Sequence, residues 1–227
     1  MTNTDKQDEA NQMQFAEIAK QLRQPQGEHA KAVGERMNEG NLQINLHSIK
    51  KLNISLNDRI LEIGMGNGFF VKNILTQNDT VVYAGCDFSE AMVREAELIN
   101  AQYLKTKRAA FFKTEAKRLP FGDNSYNKIF TVNTIYFWEQ PELVLKELAR
   151  VLEPGGSLII ALRPKSVMDH FPITKFGFNT FSALEVSALL AQNNFKVIDL
   201  AEEEEEALEF FGEKLKNEFM IVSATKI

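Results

Sequence analysis

The alternation of apolar and polar positions changes its period along this 227-residue chain. Over residues 13–52 apolar positions recur every three or four residues, as in Leu42, Leu46 and Ile49, which predicts helices with one buried face. Gln24-Pro25-Gln26-Gly27 interrupts the pattern, and a turn is expected there because proline and glycine disfavour a continuing helix. Beyond it, short apolar runs alternate with helical spacing. Arg59–Ile63 reads as a strand, Gly64-Met65-Gly66-Asn67-Gly68 as a tight turn, and residues 69–75 as a helix. Residues 81–86 form a second expected strand, followed by a helix from about Ser89, whose hydroxyl suits an N-cap. Further strands are expected at residues 109–112, 128–132, 157–162, 195–200 and 218–225, with helices near residues 142–152 and 182–193. Successive strand-helix units imply a parallel sheet with helices on its faces, an α/β class. Residues 1–55 are then a helical arm or cover, and residues 56–227 the sheet domain.

Composition narrows the function classes. Acidic residues number 31 against 26 basic ones, a formal charge of -5, and the basic residues form no long cluster able to track a phosphate backbone, so nucleic acid is not the expected partner. No apolar stretch approaches the roughly 20 residues that span a bilayer, and the polar start lacks a signal peptide's apolar region; a cytoplasmic location is expected. Cys86 is the sole cysteine and His29, His47 and His170 are scattered, so no metal is expected. The acidic run Glu202 to Glu206 reads as a solvated, self-repelling segment. No heptad pattern separates a monomer from a homodimer.

The glycines at 64, 66 and 68 let the backbone turn tightly and approach a ligand, although a close strand-to-helix corner alone has the same need. A dinucleotide fingerprint wants G-x-G-x-x-G, and Phe69 takes the place of its third glycine, which argues against an NAD-linked oxidoreductase. Asp87 follows about 20 residues later, the separation one helix imposes on adjacent strand ends; it suits either two ribose hydroxyls or a helix cap.

In that order and spacing, LEIGMGNG, AGCDFSEAM, LPFGDNSYNKIF and LARVLEPGG resemble the class I S-adenosylmethionine-dependent methyltransferases, in their small-molecule branch, over about residues 59–162. The resemblance implies a Rossmann-like, doubly wound, mostly parallel seven-stranded sheet. It implies S-adenosylmethionine as cofactor, with Glu62, Gly64, Gly66 and Gly68 at its methionine part, Asp87 at the ribose, and Phe88 and Met92 flanking the adenine. Glu115 and Ala116 align where the family carries Asp-Ala near the adenine amino group. Asn127 stands where an aspartate is common, usually a structural one. Asn133 is placed to meet the cofactor's amino group.

Tyr136, Phe137 and Trp138 form either an aromatic wall of the acceptor pocket, where cation–π attraction to a sulfonium is worth roughly 0.5 to 2 kcal/mol, or ordinary core packing. Arg23 is either a carboxylate partner or a surface side chain. Tyr136 and His29 are the weak choices for a general base, with His170 behind them, and a surface or structural role fits the histidines equally. Residues 163–180 read as part of the acceptor cover or as a self-association contact. The expected reaction is in-line methyl transfer to a small molecule, which needs alignment more than a catalytic side chain. The rival is a module that binds S-adenosylmethionine without turnover.

Overall fold

The computed structural model describes the backbone of residues 3–210 and 213–227, and the side chains of residues 11–206 and 217–227. Helices α1 (Asn3–Arg23), α2 (Ala30–Gly40) and α3 (Leu42–Lys51) precede the sheet. The chain then runs through β1 (Arg59–Ile63), α4 (Val71–Leu75), β2 (Val82–Asp87), α5 (Glu90–Ile99), α6 (Ala101–Lys105), β3 (Ala109–Lys113) and β4 (Tyr126–Val132). It continues through α7 (Pro141–Val151), β5 (Leu152–Leu162), α8 (Lys165–Met168), α9 (Ala183–Gln192), β6 (Phe195–Phe210) and β7 (Glu213–Lys226). Among the described residues no helix is long and apolar enough to cross a membrane.

The seven strands lie in the order β3-β2-β1-β4-β5-β7-β6, parallel except for β7, which runs antiparallel to both neighbours. Alternation along the strands sorts side chains to two cores. Ile60, Phe130 and Ile159 meet α3, α4 and α5 on one face, whereas Leu61, Ile129 and Leu158 meet α7 and α9 on the other. The expected doubly wound sheet is therefore present. Strand order reverses between β1 and β4, which opens a crevice above their carboxyl ends.

The opposite edge of the sheet, where β1 and β4 begin, is fixed by polar contacts. Asp58 is 3% exposed, pairs with Lys128 at 2.7 Å, and accepts from Asn127 Nδ2 at 2.7 Å, while Asn127 Oδ1 accepts from the Arg59 N–H at 2.8 Å. Burial raises the Asp58 pKa, but the Lys128, Ser55 and Asn127 contacts outweigh it and leave the group below the usual value. An amide at 127 thus serves both an acceptor and a donor role that a second carboxylate beside Asp58 would not.

Two expectations are corrected. The buried face of α3 is formed by Ile44, Asn45, Ser48 and Ile49, and Leu42 is exposed. A buried serine hid this face from the apolar pattern; Ser48 Oγ satisfies itself on the Ile44 carbonyl at 2.6 Å. The Glu202 to Glu206 run lies inside β6, paired with β7, with Glu202, Glu204 and Glu206 exposed to solvent and Glu203 and Glu205 on the other face. Alternate members take partners from other elements: Glu203 meets the His47 ring at 3.1 Å, and Glu205 meets the buried Arg163 at 2.5 Å. Arg163 also donates to Asn217 and to the Gly40 carbonyl, tying this hairpin to the arm.

Candidate functional site

The β1–α4 turn sits at the crevice. The Gly64 N–H donates to the Cys86 carbonyl at 2.7 Å, extending the parallel pairing of β1 and β2 past the strand end. Gly64, Gly66 and Gly68 all have positive φ, of 72°, 56° and 68°. Their surroundings differ. A Cβ on Gly64 would stand 2.2 Å from Thr134 Cγ2, and one on Gly68 would stand 2.9 Å from Ala96 of α5, so both serve close packing. A Cβ on Gly66 would meet nothing within 4 Å and would project into open space lined by the turn itself.

That space is a cavity of about 740 Å³, within the range of small-molecule and cofactor sites. Glu62, Gly64, Gly66, Asp87, Phe88, Met92, Glu115, Ala116, Asn133, Phe137 and Trp138 line it together. Gly68, Tyr136 and His29 do not. The arm closes the cavity with Gln24 and Pro25, from the turn that proline and glycine mark in the sequence, and with Met37, Asn41 and Asn45, which no motif singled out. Gln24 Nε2 donates to the Phe88 carbonyl at 3.3 Å, and Ser89 Oγ, the α5 cap, donates to the Pro25 carbonyl at 2.5 Å. A glycine inside a helix was the available signal: a Cβ on Gly34 would press within 3.3 Å of Asn67 and Met92, so its absence lets α2 pack against α5.

Two carboxyl groups, Glu62 and Asp87, are buried in the cavity wall. Asp87 is 9% exposed; its Oδ1 accepts from the Ser89 N–H at 2.8 Å and its Oδ2 from the Gly66 N–H at 3.1 Å, leaving lone pairs on both oxygens. Burial raises its pKa to about 6 against the opposing pull of those N–H groups. Glu62 is 4% exposed and accepts the Tyr83 hydroxyl at 2.5 Å. Burial raises it to about 7; the Tyr83 hydrogen bond opposes this and the Asp87 charge adds to it. Neither carboxylate has a cationic partner among the described residues. The cations that reach the cavity are already paired at its rim, Arg23 with Glu139 at 2.7 Å, Lys113 with Glu90 at 3.0 Å and Lys117 with Glu115 at 2.8 Å. Two buried carboxyl groups without a countercharge favour a ligand that brings positive charge and hydroxyl donors.

A second cavity of about 720 Å³ adjoins the first and shares Leu22, Met37, Asn41, Asn133 and Phe137 with it. Its lining is chiefly apolar, including Ile18, Val33, Tyr136, Met168, Phe171 and Phe178. Residues 163–180 supply one wall and the arm the other. Asn133, held at φ 55°, stands between the two spaces, donating from Nδ2 to Asn41 Oδ1 at 3.0 Å. Phe137 is packed edge-on to Phe178 with ring centroids 4.7 Å apart.

Tyr136 is buried, and its hydroxyl accepts from the Arg163 N–H at 2.5 Å while its own proton is shared between the Arg163 carbonyl and Asn133 Oδ1, each at 3.0 Å. Burial holds its pKa above the ordinary phenol value, partly offset by Arg163. His29 is exposed beside Glu28, and His170 is exposed against the Ser166 carbonyl; neither lines either cavity.

Residues 61–160 match a family model described as a methyltransferase domain. The chain is 30% identical over 125 residues to the uncharacterized methyltransferase YdaC of Bacillus subtilis, covering 55% of this chain and 67% of that protein. It is 32% identical over 103 residues to the 27-O-demethylrifamycin SV methyltransferase of Amycolatopsis mediterranei, covering 45% of this chain and only 38% of that protein. The fold is shared with a SAM-dependent methyltransferase from Aquifex aeolicus, at a TM-score of 0.65 and 21% identity over 93% of this chain and 98% of the other.

Proposed function

Because the chain belongs to the class I S-adenosylmethionine-dependent methyltransferases, we propose that its first cavity holds S-adenosylmethionine and its second a small-molecule acceptor. The observation that carries this reading is the meeting of two unlike spaces at Asn133 and Phe137, one with unbalanced carboxyl groups and the other apolar. Asp87 then accepts from the ribose hydroxyls, Glu62 and Asn133 face the methionine end, and Phe88 and Met92 flank the adenine, with Glu115 and Ala116 at its edge. Gly66 leaves room for the ligand, while Gly64 and Gly68 shape the turn that presents it.

The bound cofactor supplies an activated methyl group on a cationic sulfur. The chain's task is to point that group at the neck, exclude water and align an acceptor behind it. Well-oriented effective molarities offset roughly 7 to 11 kcal/mol of barrier without a catalytic side chain. Phe137 and Trp138 provide ring faces beside the cation. The test is S-adenosylhomocysteine release from S-adenosylmethionine across a set of small-molecule acceptors. Turnover above background with at least one supports transfer; saturable cofactor binding with background release throughout leaves a binding module.

A further inference from the structure

The lining of the two cavities also bears on what kind of acceptor reacts. The five side chains common to both spaces, Leu22, Met37, Asn41, Asn133 and Phe137, border the point where a methyl group would change hands, and none of them titrates. The ionisable groups elsewhere in the second cavity are committed or unsuited to taking a proton. Glu17 is 61% exposed and pairs with Lys20, Arg163 pairs with Glu205, and Arg36 carries a guanidinium, which only donates hydrogen bonds. Tyr136 has its hydroxyl bound on both sides by Arg163 and Asn133. On the cofactor side, Glu62 and Asp87 are held by Tyr83 and by the Gly66 and Ser89 N–H groups, and the rim carboxylates Glu115 and Glu139 are paired with Lys117 and Arg23.

We propose that the acceptor is an apolar, aromatic molecule carrying an acidic hydroxyl or thiol that reaches the neck already ionised, so that no side chain acts as general base. This rests on the reading of the first cavity as the cofactor site. The aromatic part follows from the rings of Tyr136, Phe137 and Phe178, whose centroids lie 4.7 to 6.2 Å apart along one wall. The ionised part follows from the electrostatics. An anion entering an apolar space has a large desolvation cost, and the cationic sulfur across the neck is the charge that offsets it. The acceptor's proton goes to bulk water before binding. Its oxygen or sulfur lone pair then forms the bond to the methyl carbon while the carbon–sulfur pair returns to the cofactor sulfur, giving a neutral ether or thioether and S-adenosylhomocysteine. Aliphatic alcohols, which do not ionise near neutral pH, are excluded.

The test has a binding arm and a kinetic arm, both on the full chain. In the first, 4-nitrophenolate is titrated and followed by its absorbance, in the presence of sinefungin, whose amine supplies a positive charge near the sulfonium position, or of neutral S-adenosylhomocysteine. Binding at least tenfold tighter with sinefungin is expected, and lost in Val33→Trp, which fills the second cavity and leaves cofactor binding intact. In the second arm, kcat/KM at saturating S-adenosylmethionine is measured against pH for 4-nitrophenol, phenol, thiophenol and benzyl alcohol. Each ionisable acceptor should show an inflection that moves with its own pKa, and benzyl alcohol should give none of the product. Titration of Glu62 or Asp87 instead produces an inflection common to every acceptor. The absence of any inflection that moves with the acceptor's pKa, turnover of benzyl alcohol comparable to phenol, or cofactor binding with no binding of any aromatic probe overturns the acceptor class while leaving the cofactor site standing. Failure to bind the cofactor overturns the site itself.

Discussion

Replacing Glu62 by glutamine should stabilise the free protein and weaken its hold on the cofactor. Burial lifts Glu62 from an ordinary 4.5 to about 7, so the folded chain binds a proton that the unfolded chain releases anywhere between those values. Stability contributed by this proton is full below the lower value and is lost as pH rises through the upper one. The difference amounts to about 3 kcal/mol against the folded state at about pH 8. Glutamine keeps an acceptor for the Tyr83 hydroxyl and removes the charge. Thermal unfolding near pH 8 should therefore place Glu62→Gln above the parent by about 1 to 3 kcal/mol, or about 2 to 12 °C for a chain of this size. Near pH 5 the two should nearly coincide. S-adenosylmethionine, whose ammonium answers the carboxylate, should raise the parent's midpoint more at the higher pH and raise the variant's little, a loss of about tenfold or more in affinity. A variant less stable than the parent at the higher pH, or a difference independent of pH, would refute the reasoning that an unbalanced buried charge is kept for a cationic ligand.

Other positions separate folding from binding. Gly64→Ala places a Cβ against Thr134 at positive φ and should cost about 2 to 4 kcal/mol in a denaturant titration, whereas Gly66→Ala meets open space, should lose only about 1 kcal/mol, and should lose cofactor affinity in calorimetry. Asn127→Asp sets a second carboxylate against Asp58 and should lower stability by about 1 to 3 kcal/mol near neutral pH, an effect that shrinks in acid; equal stability would show that the Asn127 to Asp58 contact is unimportant. Glu205→Ala strands the buried Arg163 and should cost about 3 to 5 kcal/mol by thermal unfolding, while the paired change Glu205→Leu with Arg163→Met should recover most of it.

The sheet was legible because strands buried on both faces leave continuous apolar runs, and the glycine turn followed by Asp87 marks where β1 and β2 end. Those residues of the first cavity that belong to the sheet's carboxyl edge were legible for the same reason, since they sit at fixed offsets from strand ends. The arm was not. Only its turn at Gln24 and Pro25 was marked, by proline and glycine; the rest depends on how α2 packs on α5, and Met37, Asn41 and Asn45 reach the cavity through a tertiary packing that leaves no periodic trace. Ser48 on the buried face of α3 and Glu205 of β6 misled for a related reason: each is a polar residue whose burial is made tolerable by one specific partner, the Ile44 carbonyl or the Arg163 guanidinium. Such partners are distant in sequence or belong to the backbone. The aromatic segment after β4 divided in two, with Trp138 lining the first cavity, Tyr136 the second and Phe137 both.

Calorimetric titration of the folded protein with S-adenosylmethionine, beside NADH and beside Asp87→Ala, is the most direct trial of the cofactor site. Saturable one-to-one binding of S-adenosylmethionine, none of NADH, and a loss of about tenfold or more in Asp87→Ala are expected from hydrogen bonds to a buried carboxylate. No heat with well-folded protein, or undiminished affinity in the variant, would contradict it.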